Sequence, residues 1–505
     1  MSNATKKVVS NSFYLFLMWG FSTLFGYFFW VVLANFLPKA DVGIFSSVLN
    51  LALFAIGLSS LGLTMAEVKL IPQYSAKGEG KKIGGTIIYI TKTIMLLNIA
   101  AAAFVFLFAP QISAHYLNEV ALRIFAALLI VLSLATVTAN HLYSLQKMKL
   151  FFLTESASSF GKLALAALLI ILGFGWLGAA GGVILSYFVI SIFRMKNIPL
   201  SGEADKKEIW HYAVPAFFAG IGTILVNQGS IVFLSFITNA AAVGTFTIAF
   251  MFTTPIKIVP QIIAQAIFPV TSEEYAEKDN ARLRNLVTQS MRYSYLVSFP
   301  LALAFVFFAR QFLLLFASSY ASAAFAFQIL AAAYLLFGLG TIITGVLYFV
   351  GKPNLNRNIT LFSGIVNIAL LFALVPFFGI EGAAAAFLVS GGILFFAGTW
   401  YARKHIRIPI NKNNLAKIVL SSAAFVVVLL LSRIVDFSGL VEAAWIIVSL
   451  VFASAAYLFS LLFLHFFSDV DVRILESLEP KVPKLFKPVF AFILSAIKKY
   501  SSDKK

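Results

Sequence analysis

Leu37-Pro38-Lys39-Ala40-Asp41-Val42-Gly43-Ile44-Phe45 opens an apolar run that closes with Leu70-Ile71-Pro72-Gln73-Tyr74-Ser75-Ala76-Lys77-Gly78, and the same plan returns about 201 residues later. There, Val243-Gly244-Thr245-Phe246 follows a short turn, and Glu274-Tyr275-Ala276-Glu277-Lys278 follows the apolar run. The offset pairs Gly43 with Gly244, Tyr74 with Tyr275 and Lys77 with Lys278. Two further landmarks keep nearly the same spacing. Tyr143-Ser144-Leu145-Gln146-Lys147 matches Tyr348-Phe349-Val350-Gly351-Lys352, and Gly175-Trp176-Leu177-Gly178-Ala179-Ala180 matches Gly379-Ile380-Glu381-Gly382-Ala383-Ala384. The chain reads as a duplication.

The repeated unit is too apolar for water. A soluble domain is about half apolar, whereas this chain is 61% hydrophobic and 11% charged. Continuous rather than alternating apolar runs predict an all-α polytopic membrane protein and exclude a transmembrane β-barrel. With roughly 20 residues per span, spans are expected near 10–37, 42–66, 84–109, 120–145, 151–172 and 176–193. A second set is expected near 209–236, 241–270, 286–309, 321–350, 355–377 and 379–402, and a final pair near 414–433 and 440–467. That gives roughly fourteen. Lys6 and Lys7 precede a run too long for a signal-peptide core, so the first span is read as retained. Zero cysteines exclude disulfides and thiolate metal sites.

The basic residues set the expected orientation. With a cytoplasmic N-terminus, about 30 of the 38 Lys and Arg fall on the inside and only Lys39, Arg123, Arg310 and Arg433 fall outside. Both termini are therefore expected in the cytoplasm. The net charge of +18 is a matter of membrane orientation and gives no reason to invoke nucleic acid. Six spans per set make the two sets parallel repeats about an axis along the membrane normal, an arrangement that places a site at their interface. The expected organisation is a first lobe 1–195, a cytoplasmic linker 196–208, a second lobe 209–404, extra helices 405–467 and a basic tail 468–505. In that tail Pro480, Pro483 and Pro488 break any early helix. The apolar 489–497 stretch, flanked by lysines, reads equally as an interfacial segment or an unordered tail.

No P-loop, metal-spaced histidine cluster or cofactor motif is present, and the loops expected outside are short and nearly free of carboxylates. An enzyme is not expected. The informative residues are charges within spans, since each costs about 2.5–3.5 kcal/mol at the bilayer centre. Lys92, Lys162, Lys257 and Arg292 are all cationic. Thr154, Ser158 and Lys162 recur every four residues, as do Lys257, Gln261 and Gln265, so each trio lies on one helix face. Pro255 and Pro260 around Lys257 favour a kink lining a cavity. Asn227 and Gln228 add polarity to the same half. The expected site is a cationic chamber for an anionic headgroup, formed by these four cations and four amides. Against it stands a structural reading in which Lys92 and Arg292 snorkel to the surface and Lys162 pairs with Glu155. His141 reads as a helix-packing residue first and a proton relay second. Gly178-Ala179-Ala180-Gly181-Gly182 and Gly382-Ala383-Ala384-Ala385-Ala386 read as close helix packing.

The Leu37–Gly43 entry, the Gly62-Leu63 then Ile71-Pro72-Gln73-Tyr74 exit and the Leu145-Gln146-Lys147 span end resemble the polysaccharide transporter, or Wzx-type oligosaccharide flippase, family. That family lies within the multidrug/oligosaccharidyl-lipid/polysaccharide exporter superfamily. The resemblance covers the twelve duplicated spans. It implies two six-helix lobes in a V shape that alternate between inward-open and outward-open forms. It also implies transport of a polyprenyl-linked, phosphate-bearing oligosaccharide from the cytoplasmic to the outer leaflet. The expected partners are that lipid-linked substrate, the surrounding lipids and a coupling ion, Na⁺ or H⁺, with Glu155 as the coupling candidate. The rival is a cation-coupled drug exporter, which would need intramembrane carboxylates. Glu155 is the one acid well within a span and Glu67 lies near a span end. A peptidoglycan-precursor flippase uses the same physics and stays open.

Overall fold

The structure is a computed structural model that describes residues 3–113, 117–199, 201–264, 280–406, 412–432, 434, 440–478 and 487–500. The first half contains α1 (Asn3–Phe36), α2 (Lys39–Ser59), α3 (Leu63–Ala76), α4 (Gly80–Leu107), α5 (Ala109–Ser113), α6 (Glu119–Ser144), α7 (Met148–Leu169) and α8 (Gly175–Met195). The second half contains α9 (Lys206–Asn227), α10 (Gly229–Ile237), α11 (Ala240–Thr253), α12 (Pro255–Ala264), α13 (Asn280–Phe307), α14 (Ala309–Ala317), α15 (Ala324–Phe349) and α16 (Pro353–Ile406). After these come α17 (Lys412–Ser432), α18 (Leu440–Phe463), α19 (Asp469–Leu478) and α20 (Lys487–Lys499). Every regular element among the described residues is helical. Lipid dictates this, because a helix satisfies its backbone polar groups within one segment. We call the face where α1 begins proximal and the opposite face distal.

Among the described residues, eleven helical stretches are long and apolar enough to cross a membrane, or twelve with the bent α11–α12 pair. The sequence predicts roughly fourteen. Part of the difference lies in two stretches of 48 and 52 residues, Met148–Met195 and Pro353–Lys404. A straight helix of 48 residues would be about 72 Å long, more than twice the hydrocarbon thickness. Both instead fold back at glycines whose positive φ other residues avoid: Gly173 (+90°) and Gly175 (+55°) in the first, Gly379 (+54°) in the second. Across the first fold-back, the Ser186 hydroxyl donates to the Ser158 carbonyl at 2.8 Å. Across the second, the Ser363 hydroxyl donates to the Ser390 carbonyl at 3.0 Å. The fold-backs occupy duplicate positions in the two halves.

Duplicate residues also touch each other directly. Gly43 of α2 lies against α11 so closely that an added Cβ would sit 1.7 Å from the Ala240 carbonyl oxygen. An added Cβ on Gly244 would sit 2.1 Å from the Lys39 carbonyl oxygen. One turn further in, the Thr247 hydroxyl donates to Ser46 Oγ at 3.1 Å. Contacts between sequence equivalents place a pseudo-two-fold axis between α2 and α11 near the distal face. Around it lies one apolar core fed by both halves, including Phe29, Phe45, Phe246, Phe252, Tyr334 and Phe387.

Three local features shape the rest. The α11–α12 pair bends by 49° before Pro255, as the prolines around Lys257 predict. The second span breaks at Leu61 (φ +47°) and Gly62 (φ +74°) and continues as α3, with Pro72 inside the helix. The segment 201–205, between the halves, is pressed onto the start of α4. Cβ atoms added to Gly84 and Gly85 would lie 1.9 Å from Ser201 O and 2.1 Å from Glu203 C. At the C-terminal end, α13, α17 and α18 build a second apolar cluster that Ile497 of α20 joins. The 487–499 stretch is therefore helical.

Candidate functional site

Two cavities share a wall made by Lys257 and Gln261. Residues four apart lie on one helix face, so the α12 spacing puts both side chains there together. The larger cavity, of about 340 Å³, lies among α9, α12, α15 and α16. Its polar lining is Thr223, Asn227, Lys257, Gln261, Thr341, Thr344, Asn356 and Thr360. The smaller, of about 230 Å³, lies between α1 of the first half and α11–α12 of the second, with Trp19, Thr23, Tyr27, Trp30 and Thr254 beside the shared pair. Lys257 therefore stands where the two repeats meet.

No carboxylate lines either cavity among the described residues. Lys257 has no ion-pair partner among them. Its ammonium instead lies 5.1 Å from the Tyr334 ring centroid and 5.9 Å from that of Phe337. Ring faces attract a cation without neutralising it. The arrangement is one uncompensated positive charge surrounded by amides and hydroxyls. Such a wall can accept an anion and can exchange hydrogen bonds with a hydroxyl-rich molecule.

The other cations lie elsewhere. Lys162 is half-buried with its ammonium 4.9 Å from the Phe29 ring and lines neither cavity. Its polar face is used for packing, because Thr154 Oγ1 accepts from Arg194 Nε at 3.0 Å and the Ser158 carbonyl accepts from Ser186. Glu155 pairs with Arg194 at 2.7 Å and not with Lys162. Arg194, just past the expected end of the 176–193 span, is fully buried and also donates to the Ala135 carbonyl at 3.2 Å. Lys92 is exposed on α4. Arg292 neither lines a cavity nor snorkels: it is buried, pairs with Asp471 of α19 at 2.8 Å and donates to the Phe466 carbonyl at 2.5 Å. The Tyr293 hydroxyl and the Ser468 N–H also donate to Asp471, at 2.5 and 2.7 Å. Burial alone would raise the Asp471 carboxyl, but these hydrogen bonds and the guanidinium hold it below the usual carboxylate range.

Of the predicted amides, Asn227 and Gln261 line the larger cavity, and Gln228 sits at the α9–α10 break away from both. Gln265 lies outside the described residues. The sequence reading missed Thr341, Thr344, Tyr334 and the α1 aromatics. Thr341 and Thr344 lie three apart on one face of α15, a polar spacing that could have marked them. Tyr334 and the tryptophans carried no signal in a chain with 54 Phe and 17 Tyr.

Comparison with known proteins bears on the family and the fold. Residues 8–275 match the family model described as polysaccharide biosynthesis protein, and residues 215–373 match the MatE model. An uncharacterized membrane protein, MJ1068, of Methanocaldococcus jannaschii is 23% identical over 467 residues, covering 86% of this chain and 92% of that one. A probable low-salt glycan biosynthesis flippase, Agl15, of Haloferax volcanii is 22% identical over 219 residues, covering 43% of this chain and 46% of that one. Among solved structures, the inward closed conformation of the lipid II flippase MurJ superposes with a TM-score of 0.68 at 16% identity, covering 90% of this chain and 98% of that one. Agl15 is a probable flippase and MurJ a flippase, and the resemblance to the flippase family drawn from the sequence is borne out. The first family model spans more than half of the chain. This multi-pass membrane protein belongs to the polysaccharide biosynthesis protein family.

Proposed function

We propose that this protein is a flippase that carries a polyprenyl-(di)phosphate-linked oligosaccharide from the cytoplasmic to the outer leaflet, in the service of glycan assembly. In this reading it lies in the cell membrane with both termini and the proximal face in the cytoplasm. The carrying observation is Lys257, an unpaired cation at the repeat interface among amides, hydroxyls and aromatic rings. A sugar phosphate crossing hydrocarbon would leave many polar groups unsatisfied. Lys257 meets the phosphate, and Asn227, Gln261 and the threonines meet sugar hydroxyls. The polyprenyl chain stays in lipid. Rocking one repeat against the other about the α2–α11 contact exposes the cavity to each side in turn.

The cation-coupled drug exporter is the second reading, favoured by the MatE match. A described lining whose charge is the Lys257 cation, with no carboxylate, counts against it, since a cationic drug would be repelled. The test is translocation of a lipid diphosphate-linked oligosaccharide in proteoliposomes by wild type, Lys257→Ala, Lys257→Arg and Lys162→Ala. A hydrogen bond to a charged group contributes about 1.5–3 kcal/mol, so Lys257→Ala is expected to lose roughly 10- to 150-fold. Lys257→Arg keeps the charge and most of the activity, and Lys162→Ala transports as wild type. Saturable transport of a cationic dye without transport of the lipid-linked sugar would overturn the proposal.

A further inference from the structure

The first half holds a second set of titratable groups, separate from the cavity. Glu67 of α3 and His141 of α6 are both buried, with His141 Nδ1 2.7 Å from Glu67 Oε1. Asn140 Nδ2 donates to Glu67 Oε2 at 2.9 Å. On the far side of the ring, His141 Nε2 lies 2.8 Å from Thr91 Oγ1 of α4, which is also 2.8 Å from the Ile87 carbonyl. Three helices thus meet at one imidazole.

Counting hydrogens shows what this arrangement allows. With the Thr91 hydroxyl donating to Ile87 O, its oxygen accepts from Nε2–H while Nδ1–H donates to Glu67. That is an imidazolium beside a carboxylate. With the Thr91 hydroxyl rotated toward the ring it donates to Nε2, and the neutral imidazole still donates Nδ1–H to Glu67. Both protonation states have complete hydrogen bonding, so a single proton can enter or leave at Nε2 by rotation of one hydroxyl. Loss of that proton leaves the Glu67 carboxylate as an uncompensated buried charge, which favours any movement that exposes it to water.

The group that would move is α3. It is set off from α2 by the positive-φ break at Leu61 and Gly62. Its other face holds α9, the first helix of the second repeat. The Tyr74 hydroxyl donates to Glu208 at 2.6 Å, and the Lys69 ammonium lies 3.7 Å from the Tyr212 ring centroid. Beside them Trp210 Nε1 donates to the Tyr89 hydroxyl of α4 at 2.9 Å, with Lys206 over the same ring. These contacts close the two repeats against each other on the proximal side.

Taking repeat-against-repeat movement from the transporter reading above, we propose that Glu67 and His141 form a proton-binding site coupled to this proximal contact. The protonated pair holds α3 seated against α9, and the deprotonated pair releases it. The other charged or titratable side chains on the helices packed around the pair are Lys69 and Lys77 at α3, Lys81, Lys82 and Lys92 of α4, and Lys206, Lys207, Glu208 and His211 of α9. On α8, packed behind α6, Arg194 is paired with Glu155 of α7. Lys39 and Asp41 of α2 and the Arg123–Glu119 pair of α6 lie at the distal ends.

The chain has no cysteine, so spin labels at Lys77→Cys and Lys207→Cys, both exposed, report the α3–α9 separation uniquely. In lipid nanodiscs without substrate, the longer-distance population is expected to grow as pH rises, by up to tenfold per pH unit for one coupled proton. His141→Gln abolishes the pH response. Thr91→Val, a mild change that removes the rotating hydroxyl, displaces its midpoint. Glu208→Gln, which removes the carboxylate at the contact itself, leaves the response in place. A wild-type distance distribution that does not change with pH would overturn the proposal. So would a response that survives His141→Gln or disappears with Glu208→Gln. Because no substrate is present, such a result would leave the substrate reading of the Lys257 cavity untouched.

Discussion

Gly43→Ala and Gly244→Ala are single-methyl changes with an outsized expected effect. The new Cβ atoms would lie 1.7 Å from Ala240 O and 2.1 Å from Lys39 O, whereas ordinary contact begins at 3.4 Å. The obstructing atoms are backbone carbonyls of the facing helix, which cannot rotate aside. The helices must therefore part by more than 1 Å at the distal end of the pseudo-axis. Overpacking of this kind costs about 1–3 kcal/mol. If that cost falls only on the arrangement with α2 and α11 in contact, the population of that arrangement drops roughly 5- to 150-fold. Spin labels at Phe36→Cys and Phe236→Cys, both exposed at distal helix ends, would follow the parting as a shift toward longer distances. Gly20→Ala and Gly220→Ala are the controls, since nothing lies within 4 Å of either added methyl and each gains up to about 1 kcal/mol of helix propensity. Gly43→Ala indistinguishable from Gly20→Ala in distance and thermal stability would refute the close approach and the pseudo-axis placed there.

Other expectations follow from the buried ion pairs. Asp471→Asn or Arg292→Ala leaves a buried partner uncompensated and should destabilise the α13–α19 contact by about 3–5 kcal/mol, read as a lower unfolding temperature and faster proteolysis after Phe463. Asp471 titrates below its unfolded value of about 3.9, so its contribution is fully present above that pH and is lost as pH falls through the folded value. Asp471→Asn should remove this part of the acid sensitivity. Glu155→Gln strands Arg194 at the junction of α6, α7 and α8. It should lower thermal stability while leaving the ion dependence of transport unchanged, because Glu155 is held in a packing contact. A changed ion dependence with normal stability would restore Glu155 as a coupling group.

The sequence by itself determined the membrane class, the duplication and the helix content. Each follows from local or periodic properties: apolar runs, a fixed offset between landmarks, and the backbone's need for internal hydrogen bonds in lipid. The offset even paired Gly43 with Gly244, although only the folded chain shows why both are glycine. The Lys257–Gln261 face was legible for the same reason, since four-residue spacing within one helix needs no tertiary knowledge. The destinations of the other charges were not legible. Lys162, Arg194, Glu155 and Arg292 look alike as intramembrane or membrane-edge charges, and what separates them is which helix packs opposite. Arg292 meets Asp471 across 179 residues, Glu67 meets His141 across 74 and Arg194 meets Glu155 across 39. One-dimensional spacing carries no trace of such pairs, because burial and partner choice are set by helix packing, and that is what the tertiary structure alone decided.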